Sequence, residues 1–391
     1  MLNILMQYAK IIIIYSLRLI LKVLYILPIK KNKILFVSHD GRQYSCNPKY
    51  MFEYIYNLYK DDYLYIWSLR DRKNIPNHYN NVKTCGYLTL KYIYSIMTAK
   101  YIITNTTIDP FFPIRKNQFI IYTWHGGGAY KKAAENNLYK KLNISKMIMR
   151  DIRSKMINYV ISSCEASTNV YCKVWNISKD LFLPIGMPRN DMLFSQNNEI
   201  MNKIYKYYSI EPEKGIVLYA PTFRGNFKKP ENIDYFLGLD IENILQLLKL
   251  KFRKDFIFLY RFHYVILDKT DKTTNIFSAT NYPDMQELLY AADILITDYS
   301  SSMWDFSLTF KPCFIYAPDL EKYKYEQGFY TPIEEWPFPV AQSNEELGRN
   351  IMQFDMENYN QSVKKHHDDL GSYETGTACE QFCRTVFSNK G

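Results

Sequence analysis

The stretch DILITDYSSSMWDFSLTFKPCFIYAP, residues 293–318, decides the fold. Its two apolar runs are continuous rather than alternating, as in strands covered on both faces of a parallel sheet. Between them, hydroxyl residues suited to capping open a helical segment. Strand, helix and strand in that order form a right-handed βαβ unit. Working outward, the same grammar recurs in GIVLYAPT (215–222), FIFLYRFH (256–263) and NIFSAT (275–280). An earlier series comprises KILFVS (33–38), YLYIWSL (63–69), YIITN (101–105), FIIYTW (119–124) and YVISS (159–163). Two such series predict an α/β protein with two Rossmann-like domains, at 31–205 and 206–391, joined near the polar stretch 190–212. The last helix of the second domain is expected to pack back on the first. Ligands of such sheets bind beyond the carboxyl ends of the strands, so the residues just after each run are the ones to weigh.

The 391 residues are 47% hydrophobic and 23% charged, which excludes wholesale disorder, collagen-like repeats and a polytopic membrane protein. Lys plus Arg outnumber Asp plus Glu by 49 to 39, a net charge of +10 that favours polyanions. No zinc finger or RNP-type motif is present, so nucleic acid is not the expected partner. The seven cysteines are scattered and odd in number, which points to a reducing compartment rather than a disulfide framework. Cys379 and Cys383 are four apart, a spacing for one helix face rather than for zinc. No metal or cofactor is called for by any cluster. The Walker A pattern, G-x-G-x-x-G after the first strand and G-x-S-x-G are all absent, which argues against P-loop enzymes, dehydrogenases and α/β-hydrolases.

Residues 4–29, ILMQYAKIIIIYSLRLILKVLYILPI, are long enough to span a bilayer but carry Lys10, Arg18 and Lys22. With Lys10 at zero on a helical wheel, Gln7 falls at about 60°, Arg18 at about 80° and Lys22 at about 120°. These four share about one third of the circumference, and the rest is nearly all apolar. Segment 1–30 is therefore expected to be an amphipathic helix lying in the interface, its cations snorkelling to the headgroups. Lys30, Lys31 and Lys33 follow at once and would be drawn to anionic lipid on the cytoplasmic face. A signal peptide would need an uncharged centre and a small-residue cleavage site, which this segment lacks. A membrane-spanning helix and a docking helix of a soluble domain are the alternatives to interfacial attachment.

Five motifs at run ends carry candidate chemistry. In TWHGGGAYKK (123–132), Gly126, Gly127 and Gly128 permit a tight turn and close backbone approach, and His125 stands at a strand end, where a neutral imidazole can take a proton from a hydroxyl. The plain alternative is a turn with an incidental histidine. In LYRFHY (259–264), Arg261 and His263 alternate and so share a strand face, a pattern for a phosphate or diphosphate. In TDYSSSMWD (297–305), Ser300 and Ser301 combine hydroxyls with unpaired N–H groups at a helix start, and Asp305 follows about one turn inside. YAPTFR (219–224) offers Thr222 and Arg224, and GMPRND (186–191) offers Arg189.

Together these motifs resemble the CDP-glycerol glycerophosphotransferase family of teichoic acid primases, polymerases and related capsule enzymes. The resemblance rests on LPIKKNKILFVSHDGRQYSCNPKYMFEYI (27–55), TWHGGGAYKK, GMPRND, LYAPTFR (218–224), RFH (261–263) and NYPDMQELLYAADILITDYSSSMWDFSLTFKPCFIYAPDLEKY (281–323). It implies a GT-B arrangement with the active site in the interdomain cleft. It implies transfer of a polyol phosphate from CDP-glycerol or CDP-ribitol to a hydroxyl of a lipid-linked (polyprenyl diphosphate) acceptor, with release of CMP. The resemblance places catalytic histidines at His125 and His263, and substrate contacts at Trp124, Gly126, Gly127, Gly128, Arg189, Thr222, Phe223, Arg224, Arg261, Phe262, Ser300, Ser301 and Asp305. The donor then belongs to the second domain and the acceptor to the first. Two departures stand out: GGGAYKK where the family often has a G-T-P-x-K pattern, and His39 where a phenylalanine or serine is expected. The competing readings are a nucleotide-sugar epimerase, a GT-B glycosyltransferase using a nucleotide sugar, and a non-catalytic membrane scaffold.

Overall fold

The computed structural model describes residues 2–71, 75–76, 78–79, 81–132, 144–222, 236–262 and 275–387, with side chains from Leu5 onward. Strands β1 (Lys30–Val37), β2 (Leu64–Ser68), β3 (Val82–Cys85), β4 (Ala99–Thr104), β5 (Phe119–Tyr122), β6 (Tyr159–Ser162) and β7 (Phe182–Pro184) form one parallel sheet. Its order is β3-β2-β1-β4-β5-β6-β7. A second parallel sheet comprises β8 (Gly215–Tyr219), β9 (Phe256–Tyr260), β10 (Ile276–Ser278), β11 (Ile294–Thr297), β12 (Cys313–Tyr316) and β13 (Val340–Ala341), ordered β10-β9-β8-β11-β12-β13. Both are doubly wound sheets. The order reverses between β1 and β4 in one and between β8 and β11 in the other, which makes those two gaps the switch points where ligands bind.

The helices are α1 (Leu2–Leu21), α2 (Cys46–Tyr59), α3 (Leu90–Thr98), α4 (Ile144–Ser154), α5 (Glu165–Trp175), α6 (Asn198–Tyr208), α7 (Ile241–Phe252), α8 (Met285–Ala291), α9 (Ser302–Ser307), α10 (Leu320–Glu326), α11 (Asn344–Met352), α12 (Met356–Asp369) and α13 (Ala378–Phe387). The chain forms two compact units. The first contains Met1–His125, Ala134–Asp191 and Tyr373–Gly391; the second contains Gly126–Ala133 and Met192–Ser372.

In the first unit, Phe36, Phe52, Trp67 and Ile103 fill one face of the sheet, and Phe382, Cys383 and Phe387 of α13 complete that core. Leu35, Ile66, Ile96, Met97 and Ile102 fill the other face. The backbone N–H groups of Ala378 and Cys379 at the start of α13 donate to Asp191 (2.9 and 2.8 Å). Burial raises the Asp191 carboxyl above its ordinary value, and these N–H bonds oppose the rise. Cys379 and Cys383 both point into this core, and all seven cysteines are free. In the second unit β8, β9, β11 and β12 are buried at every position, as continuous apolar runs require.

Residues of α1 at 7, 11, 14, 18 and 21 are partly covered, a four–three spacing that marks a docking seam. The seam includes Arg18, which donates to the carbonyls of Pro110 and Phe112. This corrects the reading of Arg18 as a cation reaching lipid headgroups: its guanidinium is held by two backbone carbonyls of its own unit. The opposite side is left bare, with Leu5, Ile12, Leu19 and Val23 between 59% and 69% exposed. After α1, Tyr25 donates to Pro113 O (2.9 Å), and Arg115 Nη1 donates to Leu27 O (2.7 Å). Among the described residues, no helix is long and apolar enough to cross a membrane.

Candidate active site

At the switch point of the first sheet, β1 leaves through three consecutive left-handed residues, His39 (φ 46°), Asp40 (φ 55°) and Gly41 (φ 74°). Gly41 is the position that needs glycine, because a Cβ there would lie 2.8 Å from Tyr87 Cβ. The turn brings His39 onto Asn105, which follows β4 and is fully buried. The Asn105 amide is oriented without ambiguity. Its Oδ1 accepts from the His39 backbone N–H (2.8 Å), so Nδ2 faces His39 Nε2 (3.2 Å) and Ser38 Oγ (3.3 Å).

The backbone carbonyl of Asn105 lies 3.1 Å from His125 Nδ1. A carbonyl only accepts, so the neutral His125 ring holds its proton on Nδ1 and its lone pair on Nε2. His125 is exposed, and its ring lies 5.8 Å from that of His39 and 4.1 Å from that of Trp124. The loop that carries it is braced from below. Asn47 Nδ2 donates to the carbonyls of Thr123 (3.0 Å) and Trp124 (3.1 Å), while its Oδ1 accepts from the Arg189 N–H (3.1 Å). Arg189 is 5% exposed, and its Nη1 donates to His125 O (2.8 Å) and Cys46 Sγ (3.2 Å). Those bonds make Arg189 a brace for the histidine loop. Glu374 fixes the GMPRND turn in its turn, accepting from Met187 N and Asn190 Nδ2 (both 3.0 Å).

In the second unit the glycine run has a packing role. A Cβ on Gly127 would lie 2.0 Å from Trp304 Cδ1, and one on Gly128 (φ 65°) would lie 2.4 Å from Tyr130 Cε2. Gly127 and Gly128 therefore let the backbone lie against two aromatic rings, and Trp304 is fully buried beneath them. His366 and His367 of α12 complete this cluster. Tyr130 OH meets His366 Nε2 at 3.0 Å, Ser307 Oγ meets His367 Nε2 at 2.8 Å, and the Trp304 and His367 rings are 4.4 Å apart. Burial pulls both imidazoles down to about 4, so both are neutral at pH 7.

At the second switch point Asp298, fully buried, ties β8 to β11. It accepts from Thr222 N (2.8 and 3.0 Å) and from Thr222 Oγ1 (2.8 Å). The Thr222 hydroxyl thus donates its hydrogen bond to Asp298. Arg261 continues the β9 ladder, its N–H donating to Tyr219 O (2.8 Å), and its Nη1 donates to Ala279 O (2.9 Å) and Tyr282 O (2.6 Å). Burial lowers its affinity for the proton, while Asp284 acts the other way. The adjacent Phe262 N–H donates to Thr280 Oγ1 (3.1 Å). Ser300 accepts from Ser302 N (3.3 Å) and Ser302 Oγ (3.0 Å), and Ser301 precedes α9 without a side-chain cap. That helix has six residues, so its dipole is short, and Asp305 within it is 2% exposed. Phe223, Arg224 and His263 lie outside the described residues. Among the described residues no group of His, Cys, Asp and Glu is arranged to hold a metal ion.

The structure thus brings Trp124, His125 and Arg189 together in the first unit, and Thr222, Arg261, Phe262, Ser300 and Ser301 to strand ends of the second. Sequence reasoning missed Asn105 and Asp298, each just past the strand that closes a switch point; YIITN and ILITD both end on such a residue. It also missed Asn47 and Glu374, which act on residues far along the chain and leave no local signal.

Two doubly wound parallel sheets, each with a polar cluster at its switch point, place the chain among α/β proteins built from two Rossmann-like units. Residues 19–388 match the model of the CDP-glycerol:poly(glycerophosphate) glycerophosphotransferase family, and the chain belongs to that family, as the motifs led us to expect. It is 30% identical to a teichoic acid poly(glycerol phosphate) polymerase of Bacillus spizizenii, over 97% of this chain and 98% of the relative. It is also 30% identical to a teichoic acid glycerol-phosphate transferase of Staphylococcus aureus, over 91% of this chain and 93% of the relative. The wall teichoic acid polymerase TagF, solved as a histidine variant soaked with CDPG, superposes with a TM-score of 0.81 at 26% identity, covering 98% of both chains.

Proposed function

We propose that this chain transfers glycerol phosphate from CDP-glycerol to a hydroxyl of a lipid-linked teichoic acid precursor, releasing CMP. The observation that carries the reading is the imidazole of His125, held by the Asn105 carbonyl at the first switch point with Nε2 as its basic atom. The acceptor hydroxyl gives its proton to His125 Nε2, and its oxygen attacks the phosphorus that bears glycerol. The bond from that phosphorus to the bridging oxygen breaks, and CMP leaves with the electron pair. Phosphoryl transfer of this kind depends on positioning and charge stabilisation more than on covalent help. Trp124 and the glycine run bound the acceptor. On the donor side Arg261 and His263 offset charge on the departing CMP, and Thr222, Phe223, Arg224, Phe262, Ser300, Ser301 and Asp305 shape the pocket. Arg189 acts by holding the histidine loop.

The reading includes a GT-B arrangement of the two units and attachment to the cytoplasmic membrane face through α1. The bare side of that helix supports it: a soluble protein rarely exposes so continuous an apolar strip. Incubating the protein with CDP-glycerol or CDP-ribitol and an acceptor, then measuring CMP, tests the donor assignment. His125→Ala is expected to lower kcat by roughly 10²–10⁴-fold. Near-full turnover by a folded variant would remove His125 from the chemistry.

A further inference from the structure

Beneath the first sheet, at the ends of the strands away from His125, lies a feature that the transfer reaction does not use. A concavity of about 450 Å³ is lined by Lys30, Lys33, Lys83, Lys91 and Tyr94. Lys30 and Lys33 come from the start of β1, Lys83 from β3, and Lys91 and Tyr94 from α3. No carboxylate lines it, and among the described residues none lies within ion-pairing distance of any of the four lysines. Asp61 stands in the adjoining hollow and takes its hydrogen bond from Asn81.

The pocket is built rather than incidental. Lys33 is 2% exposed; its Nζ donates to Thr98 Oγ1 (2.8 Å) and sits 4.6 Å from the centre of the Tyr94 ring, while Lys30 approaches the same ring at 5.8 Å. Burial, together with the charges of Lys30 and Lys83, pulls the Lys33 ammonium down to about 8. Lys30 and Lys83 both act against the Lys33 ammonium, and an anion placed in the pocket relieves that repulsion. The flanks are apolar and bare: Val23 is 67% exposed, Ile26 81% and Leu90 84%. Arg115 links these flanks, its guanidinium bonding both Leu27 O and Met97 O at the end of α3. Cations in the middle with hydrocarbon on both sides match a membrane lipid, since a water-soluble polyanion gains nothing from apolar flanks.

We propose that this lysine pocket binds the phosphate headgroup of an anionic membrane phospholipid. The inference rests on the membrane attachment proposed above and adds a headgroup preference to it. Lys33 is roughly 20 Å along the strand from His39, so the pocket lies apart from the candidate catalytic residues of the same sheet.

The test uses the full chain and the K83Q/K91Q variant, with Lys33 left intact because its burial makes its removal a folding perturbation. Sedimentation with phosphatidylcholine vesicles is compared with and without phosphatidylglycerol. The variant is expected to bind the phosphatidylglycerol vesicles about thirty-fold more weakly, two lysines' worth of surface attraction. Binding to pure phosphatidylcholine and CMP release from soluble substrates should stay unchanged. Equal binding of variant and parent to phosphatidylglycerol overturns the proposal. So does displacement of the vesicles by millimolar inorganic phosphate, which would mark a site for free anion. If the parent binds both vesicles equally, membrane attachment stands and the lysine pocket falls; if it binds neither, attachment fails first.

Discussion

Acid should loosen the second unit through His366 and His367, and the size of the effect can be worked out. In the folded chain both rings hold a proton only below about pH 4, against an unfolded value near 6.5. Between those values the unfolded chain binds more protons than the folded one. Stability is therefore complete above about pH 6.5 and is lost as pH falls toward 4. Going from pH 7 to pH 5 costs about 2 kcal/mol per histidine, or about 4 kcal/mol for both as an upper figure, since the adjacent rings do not titrate independently. Neither ring can take a proton without disturbing its surroundings: His366 meets Tyr130, and His367 lies between Ser307 and Trp304. The measurement is urea unfolding of the parent and of H366Q/H367Q at pH 7 and pH 5. Other groups titrate in both proteins, so the readout is the difference between the two pH slopes. The double variant should be less stable at pH 7 yet lose about 2–4 kcal/mol less on acidification. Identical slopes would refute the assignment of acid sensitivity to this pair.

Three further outcomes follow from the geometry. Gly127→Ala drives a methyl into the Trp304 ring and should cost about 1–3 kcal/mol, read as a fall in Tm. Asp298→Asn removes a carboxylate that accepts from both groups of Thr222. It should cost about 1–3 kcal/mol and raise KM for CDP-glycerol more than it lowers kcat, with an unchanged KM counting against a role near the donor. Replacing Ile12, Leu19 and Val23 by serine leaves the seam of α1 intact. It should keep the Tm while weakening vesicle binding by about 1.5 kcal/mol per side chain, and undiminished binding would show that the bare face is not what meets the membrane.

Most strands were legible because both sheets are parallel and covered, which forces unbroken apolar runs. The runs that escaped notice are β3, β7 and β13, short strands at the sheet margins. VKTC, FLP and VA carry too little apolar sequence to stand out, since an edge strand has only one neighbour to satisfy. At the site, His125 was visible from its place after FIIYTW. The atom that sets its tautomer was not, because a backbone carbonyl twenty residues away leaves no mark on composition. The glycine run was read as room for a ligand. Gly127 and Gly128 also serve Trp304, a partner that only the fold supplies. Lys30 and Lys33 were legible as a basic segment, but Lys83 and Lys91 join them only through sheet order and the placement of α3.

The position of α13 constrains how the protein is made. Its side chains finish a core otherwise built from residues before 192, and its first N–H groups are what Asp191 accepts from. During translation the first unit must wait, with Tyr59, Tyr63 and Tyr101 lacking the Phe387 ring that packs on them, until nearly two hundred further residues have left the ribosome, a delay on the order of ten seconds or more. The nascent chain in that interval is a natural client for chaperones.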